Sequence, residues 1–150
     1  MPDMETILVS DPDPSERGLL KRALQRGKRN VRVAANPQRT MSVLAACSPS
    51  VVVLADRRAD SACPQLAAWI RATSSTPDIP IVALVPHHDY DLMARCYESG
   101  CDLVVSTPLD IDSFCLALDA LLRRTRRSVT PAQSRDVVVL DGPTRFAASE

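Results

Sequence analysis

Aromatic residues are scarce in this sequence, and long apolar runs are missing from it. Only 3% of the 150 residues are aromatic, so a core has to be built from Val, Leu, Ile and Ala, which suits a buried parallel sheet covered by helices. No segment approaches the roughly 18–20 apolar residues of a membrane helix. The first residues, Met1–Glu5, lack the basic and apolar regions of a signal peptide. These absences predict a cytoplasmic protein without membrane contact.

The chain also lacks net charge, because 18 basic and 18 acidic side chains balance. No global field therefore favours nucleic acid, a membrane surface or an acidic substrate. The five cysteines form no CxxC pair and no Cys/His ligand pattern, which argues against a zinc site and a disulfide framework. We expect them to be reduced, with Cys96 and Cys115 acting as small apolar residues on helices.

Short apolar runs of strand length recur along the chain, and most are continuously apolar, as in parallel strands buried on both faces. The five runs are Thr6–Val9, Val31–Ala34, Val51–Ala55, Ile81–Val85 and Leu103–Val105. The segments between them carry helix signals. Alternating strands and helices predict an α/β fold with right-handed crossovers.

Capping residues and apolar spacing define five helices. Asn36 before Pro37 is an N-cap followed by proline at the first helical position, and Gly100 suits the left-handed position after a helix. The first helix places Leu19, Leu20 and Leu24 on one side. The predicted helices are Ser15–Arg26, Pro37 to about Cys47, Pro64 to about Thr73, Tyr90–Ser99 capped by Asp89, and a last helix capped by Asp110 that ends near Arg124.

The character of the sequence changes near residue 125. An arginine cluster, Arg123–Arg127, precedes the Ser/Thr/Pro/Gln stretch Ser128–Ser134, which is typical of a linker. We therefore predict one domain over 5–125 and a partly disordered linker and tail over 126–150. The strand-like run Val137–Leu140 either pairs with a sheet edge or stays disordered.

The order of these motifs resembles the receiver domain of bacterial response regulators, in the chemotaxis-regulator-like form. The resemblance covers roughly Thr6–Arg124. It is carried by Ile7–Pro14 as the opening strand and acidic turn, Ala34–Asn36 as the second unit, Ser48–Leu54 before the phosphoacceptor, Ile79–Leu84 as the fourth strand, and Ser99–Asp102 and Thr107–Leu109 in place of the family's AGAD and KPF signatures. It implies a flavodoxin-like (βα)5 doubly wound sheet with five parallel strands in the order 2-1-3-4-5.

The resemblance also implies a phosphorylation site that this chain lacks. The family uses two acids that hold Mg²⁺, a phosphorylated aspartate, a Ser or Thr, and a lysine. Here Asp11 is followed by Pro12, and the last three positions hold Ala55, Val85 and Thr107. We therefore expect a degenerate pseudo-receiver, not an enzyme, with no catalytic residue, no bound metal and no cofactor.

Several charged residues should lie at the carboxyl edge of the sheet, where open α/β sheets bind ligands. Asp11, Asp13 and Asp56 form a candidate residual acidic pocket and a weak candidate metal site, with His87 and His88 nearby. The alternative is that they are solvated loop side chains. Arg57 and Arg58 either neutralise Asp11 or Asp13 or face water.

Function is expected to depend on protein contact. Helical spacing from Gly100 turns Met93 and Cys96 inward and leaves Tyr97 near the outer face, and Leu116 falls off the inner stripe of the last helix. Tyr97 and Leu116 thus form a candidate interaction face for a homodimer or a protein partner.

Two other functions stay open. Asp56 with Mg²⁺ is an alternative phosphoacceptor. The chain is also interpretable as the amino-terminal part of a DNA-binding regulator, although nothing within these residues reads nucleic acid.

Overall fold

Strands and helices alternate along the chain in the computed structural model, which describes residues 5–27, 29–58, 60–73, 75–127, 138–141 and 145–148. The elements are β1 (Thr6–Ser10), α1 (Pro14–Gln25), β2 (Asn30–Ala34), α2 (Pro37–Cys47), β3 (Val51–Ala55), α3 (Cys63–Thr73), β4 (Ile81–Pro86), α4 (Tyr90–Glu98), β5 (Leu103–Thr107), α5 (Ile111–Arg127), β6 (Val138–Asp141) and β7 (Arg145–Ala148).

The strands form one sheet in the order β2-β1-β3-β4-β5-β6-β7. Strands β1 to β6 pair in parallel, and β7 pairs antiparallel to β6. The α/β class and the order 2-1-3-4-5 are therefore confirmed. The run predicted over Val137–Leu140 corresponds to β6, which pairs with the edge of β5.

Helices cover both faces of the sheet. Leu20 and Leu24 of α1 pack with Phe114 and Leu118 of α5 on one face, which we call the α1/α5 face. Helices α2, α3 and α4 cover the opposite face, which we call the α2–α4 face, with residues such as Leu44. Because side chains alternate along a strand, each of the strands β1 to β5 contributes to both apolar layers, as the continuously apolar runs predict.

The predicted caps of α2 and α4 are confirmed, whereas the carboxylate of Asp110, the predicted cap of α5, accepts a hydrogen bond from the Ser113 hydroxyl. The side chain of Asn36 accepts a hydrogen bond from the Arg39 N–H, and that of Asp89 accepts one from the Leu92 N–H. Gly100 follows α4 with a φ of 112°. These caps satisfy backbone groups that the helix ends leave unpaired, and they fix the loops at both edges of the sheet.

The expected inward position of Leu19 is wrong. Leu20 and Leu24 are buried, but Leu19 is 55% exposed. Residues 20 and 24 lie one turn apart on the same face of a helix, whereas residue 19 is rotated by about 100° from residue 20. The apolar stripe of α1 is therefore narrower than three leucines suggest.

The end of α5 falls within the predicted boundary region. The helix continues to Arg127, beyond the expected end near Arg124. The division into a domain over 5–125 and a tail over 126–150 stays a prediction, and the proposed linker Ser128–Ser134 lies outside the described residues. In the part of the chain that the structure covers, no helix is both long and apolar enough for a membrane span.

Candidate functional site

The carboxyl ends of β1 and β3 are adjacent, because Ser10 pairs with Leu54. Ala55 is the last residue of β3, and its side chain belongs to the buried layer on the α1/α5 face. Asp56 follows by one residue and lines a cavity beside α2 and α3 on the other face. Because a strand reverses its side chains at each step, Asp56 does not take the place of Ala55.

Asp11 is buried at this edge and carries a guanidinium partner. Its Oδ2 accepts a hydrogen bond from Nη1 of Arg57 at 2.9 Å, and its Oδ1 accepts one from the Asp13 N–H at 3.0 Å. The Asp11 side chain is 1% exposed and that of Arg57 is 24% exposed. The charge that a cation would neutralise is thus neutralised by the chain itself.

Asp56 has its own set of partners on the other face. Arg58 binds it in a bidentate manner, with Nε to Oδ1 and Nη2 to Oδ2 both at 2.8 Å. The N–H groups of Arg58 and Ala62 also donate to this carboxylate. Burial acts to raise the pKa of Asp56, but the hydrogen bonds from Arg58 and Ala62 outweigh it and hold the pKa below its ordinary value.

Asp13 faces neither of these carboxylates. Its Oδ1 accepts hydrogen bonds from the N–H groups of Ser15 and Glu16, so it is the N-cap of α1. The structure therefore does not assemble Asp11, Asp13 and Asp56 into one acidic pocket. The reason is local geometry, since helix capping claims Asp13 and strand alternation separates Asp56 from Asp11.

Val85 and Thr107 provide no free polar group towards Ala55. Val85 is fully buried. The Thr107 hydroxyl donates to the carbonyl oxygen of Val85 at 3.2 Å, which links the ends of β4 and β5. The peptide bond between Thr107 and Pro108 is cis. The three positions therefore hold the methyl group of Ala55, the isopropyl group of Val85 and the hydrogen-bonded hydroxyl of Thr107.

The family's Mg²⁺ does not fit this arrangement. A hard cation needs several carboxylate or carbonyl oxygens directed at one point. Both oxygens of Asp11 are engaged, one by Arg57 and the other by the Asp13 N–H. Among the residues that the structure describes, no group of three His, Cys, Asp or Glu side chains is placed to hold a metal ion.

A small cavity of about 220 Å³ adjoins Asp56 and Arg58. Asn36 and the buried Cys63 also line it. Burial raises the pKa of the Cys63 thiol to about 12, so this thiol stays protonated at neutral pH and is a poor nucleophile. Asp56 binds Arg58, the Asn36 side chain accepts a hydrogen bond from the Arg39 N–H, and the Cys63 thiol donates to the Leu54 carbonyl oxygen. These polar groups are therefore engaged and form no reactive constellation.

The two histidines lie in the loop before α4. Their rings contact each other in a tilted arrangement, with centroids 3.7 Å apart and an angle of 40° between the ring planes. Nδ1 of His88 lies 3.1 Å from the Tyr90 hydroxyl. These contacts organise the loop locally and do not bring the histidines to Asp11 or Asp56.

Tyr97 and Leu116 differ in their placement. Leu116 is 69% exposed on α5. Tyr97 is half-buried against the α2–α4 core layer, and its hydroxyl accepts a hydrogen bond from the Val104 N–H at 3.2 Å. Burial raises the pKa of Tyr97 above its ordinary value. Met93 and Cys96 are buried as expected, whereas Tyr97 offers less free surface than the helical spacing suggests.

A larger open groove of about 1060 Å³ runs between α1 and the β5–α5 loop, and the sequence did not indicate it. Leu19, Pro108 and Leu109 supply apolar surface, while Arg22 and Arg26 supply positive charge. The expectation that Leu19 belongs to the core leaves this surface unpredicted. The helical angle of Leu19 relative to Leu20 and Leu24 is the sequence signal that indicates its exposure.

Comparison with known proteins gives one curated relative and many similar structures. No protein-family model matches the chain. The DNA-binding dual master transcriptional regulator RpaA of Synechocystis sp. is 24% identical over 145 residues, which are 93% of this chain and 58% of that protein. The chain thus spans little more than half the length of this relative.

Solved receiver domains superpose on most of the chain. The signal receiver domain of an HD domain-containing protein from Pseudomonas fluorescens Pf-5 is 21% identical with a TM-score of 0.74, covering 84% of this chain and 100% of that one. A CheY-like receiver domain protein from Methanospirillum hungatei JF-1 is 13% identical with a TM-score of 0.74, covering 83% and 98%. The receiver domain of the Francisella response regulator 1452 is 18% identical with a TM-score of 0.71, covering 81% and 98%. The chain therefore has the fold of response-regulator receiver domains.

Proposed function

We propose that this chain is a pseudo-receiver, a signalling module that acts through protein–protein contact or dimerisation and does not depend on phosphorylation. The observation that carries the proposal is the buried ion pair between Asp11 and Arg57 beside Ala55. An internal guanidinium stands where a receiver needs a metal, and a methyl group stands where it needs a nucleophile.

The physical argument concerns charge. A transferring phosphoryl group is stabilised almost entirely by positioned cations and hydrogen-bond donors. At this edge Arg57 is already engaged by Asp11, and Thr107 donates to Val85. The conformation of the module would then be set by constitutive packing or by partner concentration. No reaction is assigned to it.

The test is phosphorylation of the full chain. Incubation with acetyl phosphate and Mg²⁺, and separately with beryllofluoride, is followed by intact mass measurement, with a phosphorylatable receiver domain treated in parallel. We expect no phosphoryl increment on this chain. A phosphoryl increment that is present in wild type and absent from Asp56→Ala would overturn the proposal in favour of a phospho-accepting regulator.

That second candidate uses Asp56 with Mg²⁺. It is favoured by the position of Asp56, a buried carboxylate directly after β3. It requires Arg58 to leave both carboxylate oxygens. The same mass measurement in the Arg58→Ala variant shows whether release of this partner is enough to allow labelling.

Leu116 is the strongest candidate for the contact surface, because a leucine with 69% exposure covers no part of the core. Leu19, which is 55% exposed on α1 and lines the groove there, is its matched control. We expect Leu116→Ser to weaken self-association or partner binding in sedimentation experiments, while Leu19→Ser leaves it unchanged. If Leu19→Ser weakens association and Leu116→Ser does not, the contact surface is the groove beside α1. If wild type and both variants associate equally, neither surface makes the contact.

A third candidate is the amino-terminal part of a DNA-binding regulator. It is motivated by the relative RpaA, which by name is a DNA-binding transcriptional regulator and of which this chain matches 58%. The test is whether the native reading frame continues past Glu150 into a segment that binds DNA in a mobility-shift experiment.

A further inference from the structure

The end of α4 brings two cysteines together through its capping geometry. The Cys101 N–H donates to the Cys96 carbonyl and the Gly100 N–H donates to the Tyr97 carbonyl, both at 3.1 Å. With Gly100 at a φ of 112°, these two bonds define a Schellman motif. In that motif the side chains of the residues joined by the outer bond contact each other, and here both of them are cysteines.

Cys96 and Cys101 both belong to the buried layer on the α2–α4 face, and they stand at the two ends of the outer bond of this motif. Disulfides need α-carbons about 4.4–6.8 Å apart, and the direct backbone hydrogen bond between Cys96 and Cys101 is compatible with that separation. Both thiols are reduced in the structure.

The two thiols affect each other's ionisation. The neighbouring Cys101 thiol lowers the pKa of Cys96 against the effect of burial, whereas the Cys96 thiol and burial raise the pKa of Cys101. We assign Cys96 as the attacking thiolate and Cys101 as the partner that resolves it, an order that the Cys101→Ser variant tests.

We propose that Cys96 and Cys101 are a redox modification site, at which a small peroxide forms an intramolecular disulfide across the end of α4. The Cys96 thiolate attacks hydrogen peroxide, breaks its O–O bond and becomes a sulfenic acid, releasing hydroxide. The Cys101 sulfur then attacks the sulfenic sulfur, an S–S bond forms, and the S–OH oxygen leaves as water with the Cys101 proton. Two thiols and one peroxide give one disulfide and two waters.

The remaining cysteines serve as internal controls. Cys63 lies in the same apolar layer but donates its S–H to the Leu54 carbonyl at 3.4 Å. Cys47 and Cys115 are half-exposed on other helices. Cys96 is fully buried and Cys101 is 5% exposed, so reaction needs transient opening of the last turn of α4, and a small uncharged oxidant suits it better than a bulky disulfide.

The experiment uses the full chain. It is exposed to hydrogen peroxide, quenched with catalase, alkylated in denaturant and weighed intact. We expect two alkylation sites to disappear and to return after dithiothreitol. Cleavage after Arg95, after Glu98 and before Asp102 should leave the tripeptide Cys96-Tyr97-Glu98 joined to Ser99-Gly100-Cys101, a product that no other pairing gives.

Variants separate this pair from unspecific oxidation. Cys47→Ser and Cys115→Ser should still lose two alkylation sites, whereas Cys101→Ser should form no intramolecular disulfide and should accumulate sulfenic acid that dimedone traps. The inference is overturned if all five cysteines stay alkylatable, if the linked peptides contain Cys63, or if Cys96 proceeds to sulfinic acid in wild type. The wild-type peptide map decides the question even where a variant fails to fold.

Discussion

Arg57 and Asp11 follow neighbouring parallel strands and close on each other at 2.9 Å, with the carboxylate almost fully withdrawn from water. The Asp11 backbone carbonyl also accepts a hydrogen bond from Arg17 of α1 at 2.8 Å. The end of β1 is therefore tied both to the loop after β3 and to the first helix, which makes Arg57 a structural residue of the receiver edge.

Replacing Arg57 with alanine should destabilise the protein. Asp11 would be left buried without its cation, and we expect the free energy of unfolding to fall by about 1–3 kcal/mol. Urea denaturation at neutral pH measures the change. The matched control is Arg95→Ala, which breaks an exposed pair with Asp91 one helical turn away and should cost about 0.3–0.5 kcal/mol. Equal losses in the two variants would contradict the assigned role.

Asp56 should contribute stability that acid removes. Its folded pKa lies below the ordinary value of 3.8, so its contribution is complete above that value and declines as the pH falls towards the folded pKa. At neutral pH we expect Asp56→Asn to cost about 1–2 kcal/mol, a modest amount because Arg58 is 60% exposed. The gap between wild type and variant should narrow below about pH 4.

Urea titrations over the pH range test this expectation. Asp91→Asn is the control, since that carboxylate is 85% exposed and pairs with its helical neighbour Arg95. A gap for Asp56→Asn that stays constant into acid would show that the hydrogen bonds to Arg58 and Ala62 do not depend on the carboxylate charge.

Two glycines should respond to alanine in opposite directions. Gly100 has a φ of 112°, and a Cβ there would lie 2.9 Å from Cγ of Arg71, so Gly100→Ala should cost about 1–3 kcal/mol. A Cβ on Gly18 of α1 would meet nothing closer than 3.9 Å, so Gly18→Ala should add about 0.5–1 kcal/mol. Thermal unfolding of both variants gives the signs, and a neutral Gly100→Ala would contradict the close approach of Arg71.

The sequence predicted the fold well because its signals are local. Continuous apolar runs marked the central strands, and Asn36, Asp89 and Gly100 marked helix ends through hydrogen bonds to nearby backbone. The pairing of β6 with β5 could not be predicted, because a short apolar run does not specify which sheet edge it joins.

The site was predicted only as a set of positions. Ala55, Val85 and Thr107 lie at the ends of their strands as the resemblance implied. The sequence could not decide between Arg57 and Arg58 as the partner of Asp11. The structure identifies the partner. Arg57, two residues after the end of β3, pairs with Asp11, whereas the next residue, Arg58, pairs with Asp56.

The pair of Asp11 and Arg57 also constrains how a phosphoacceptor could be introduced at the end of β3. Ala55→Asp alone would add a second acid beside a guanidinium that Asp11 already holds, without freeing any oxygen for a metal. Removing Arg57 first would leave the buried Asp11 without its ion-pair partner before a phosphoacceptor is present. Each substitution alone therefore leaves the edge without a metal site or with an unpaired buried carboxylate, so neither change by itself would introduce phosphorylation at residue 55.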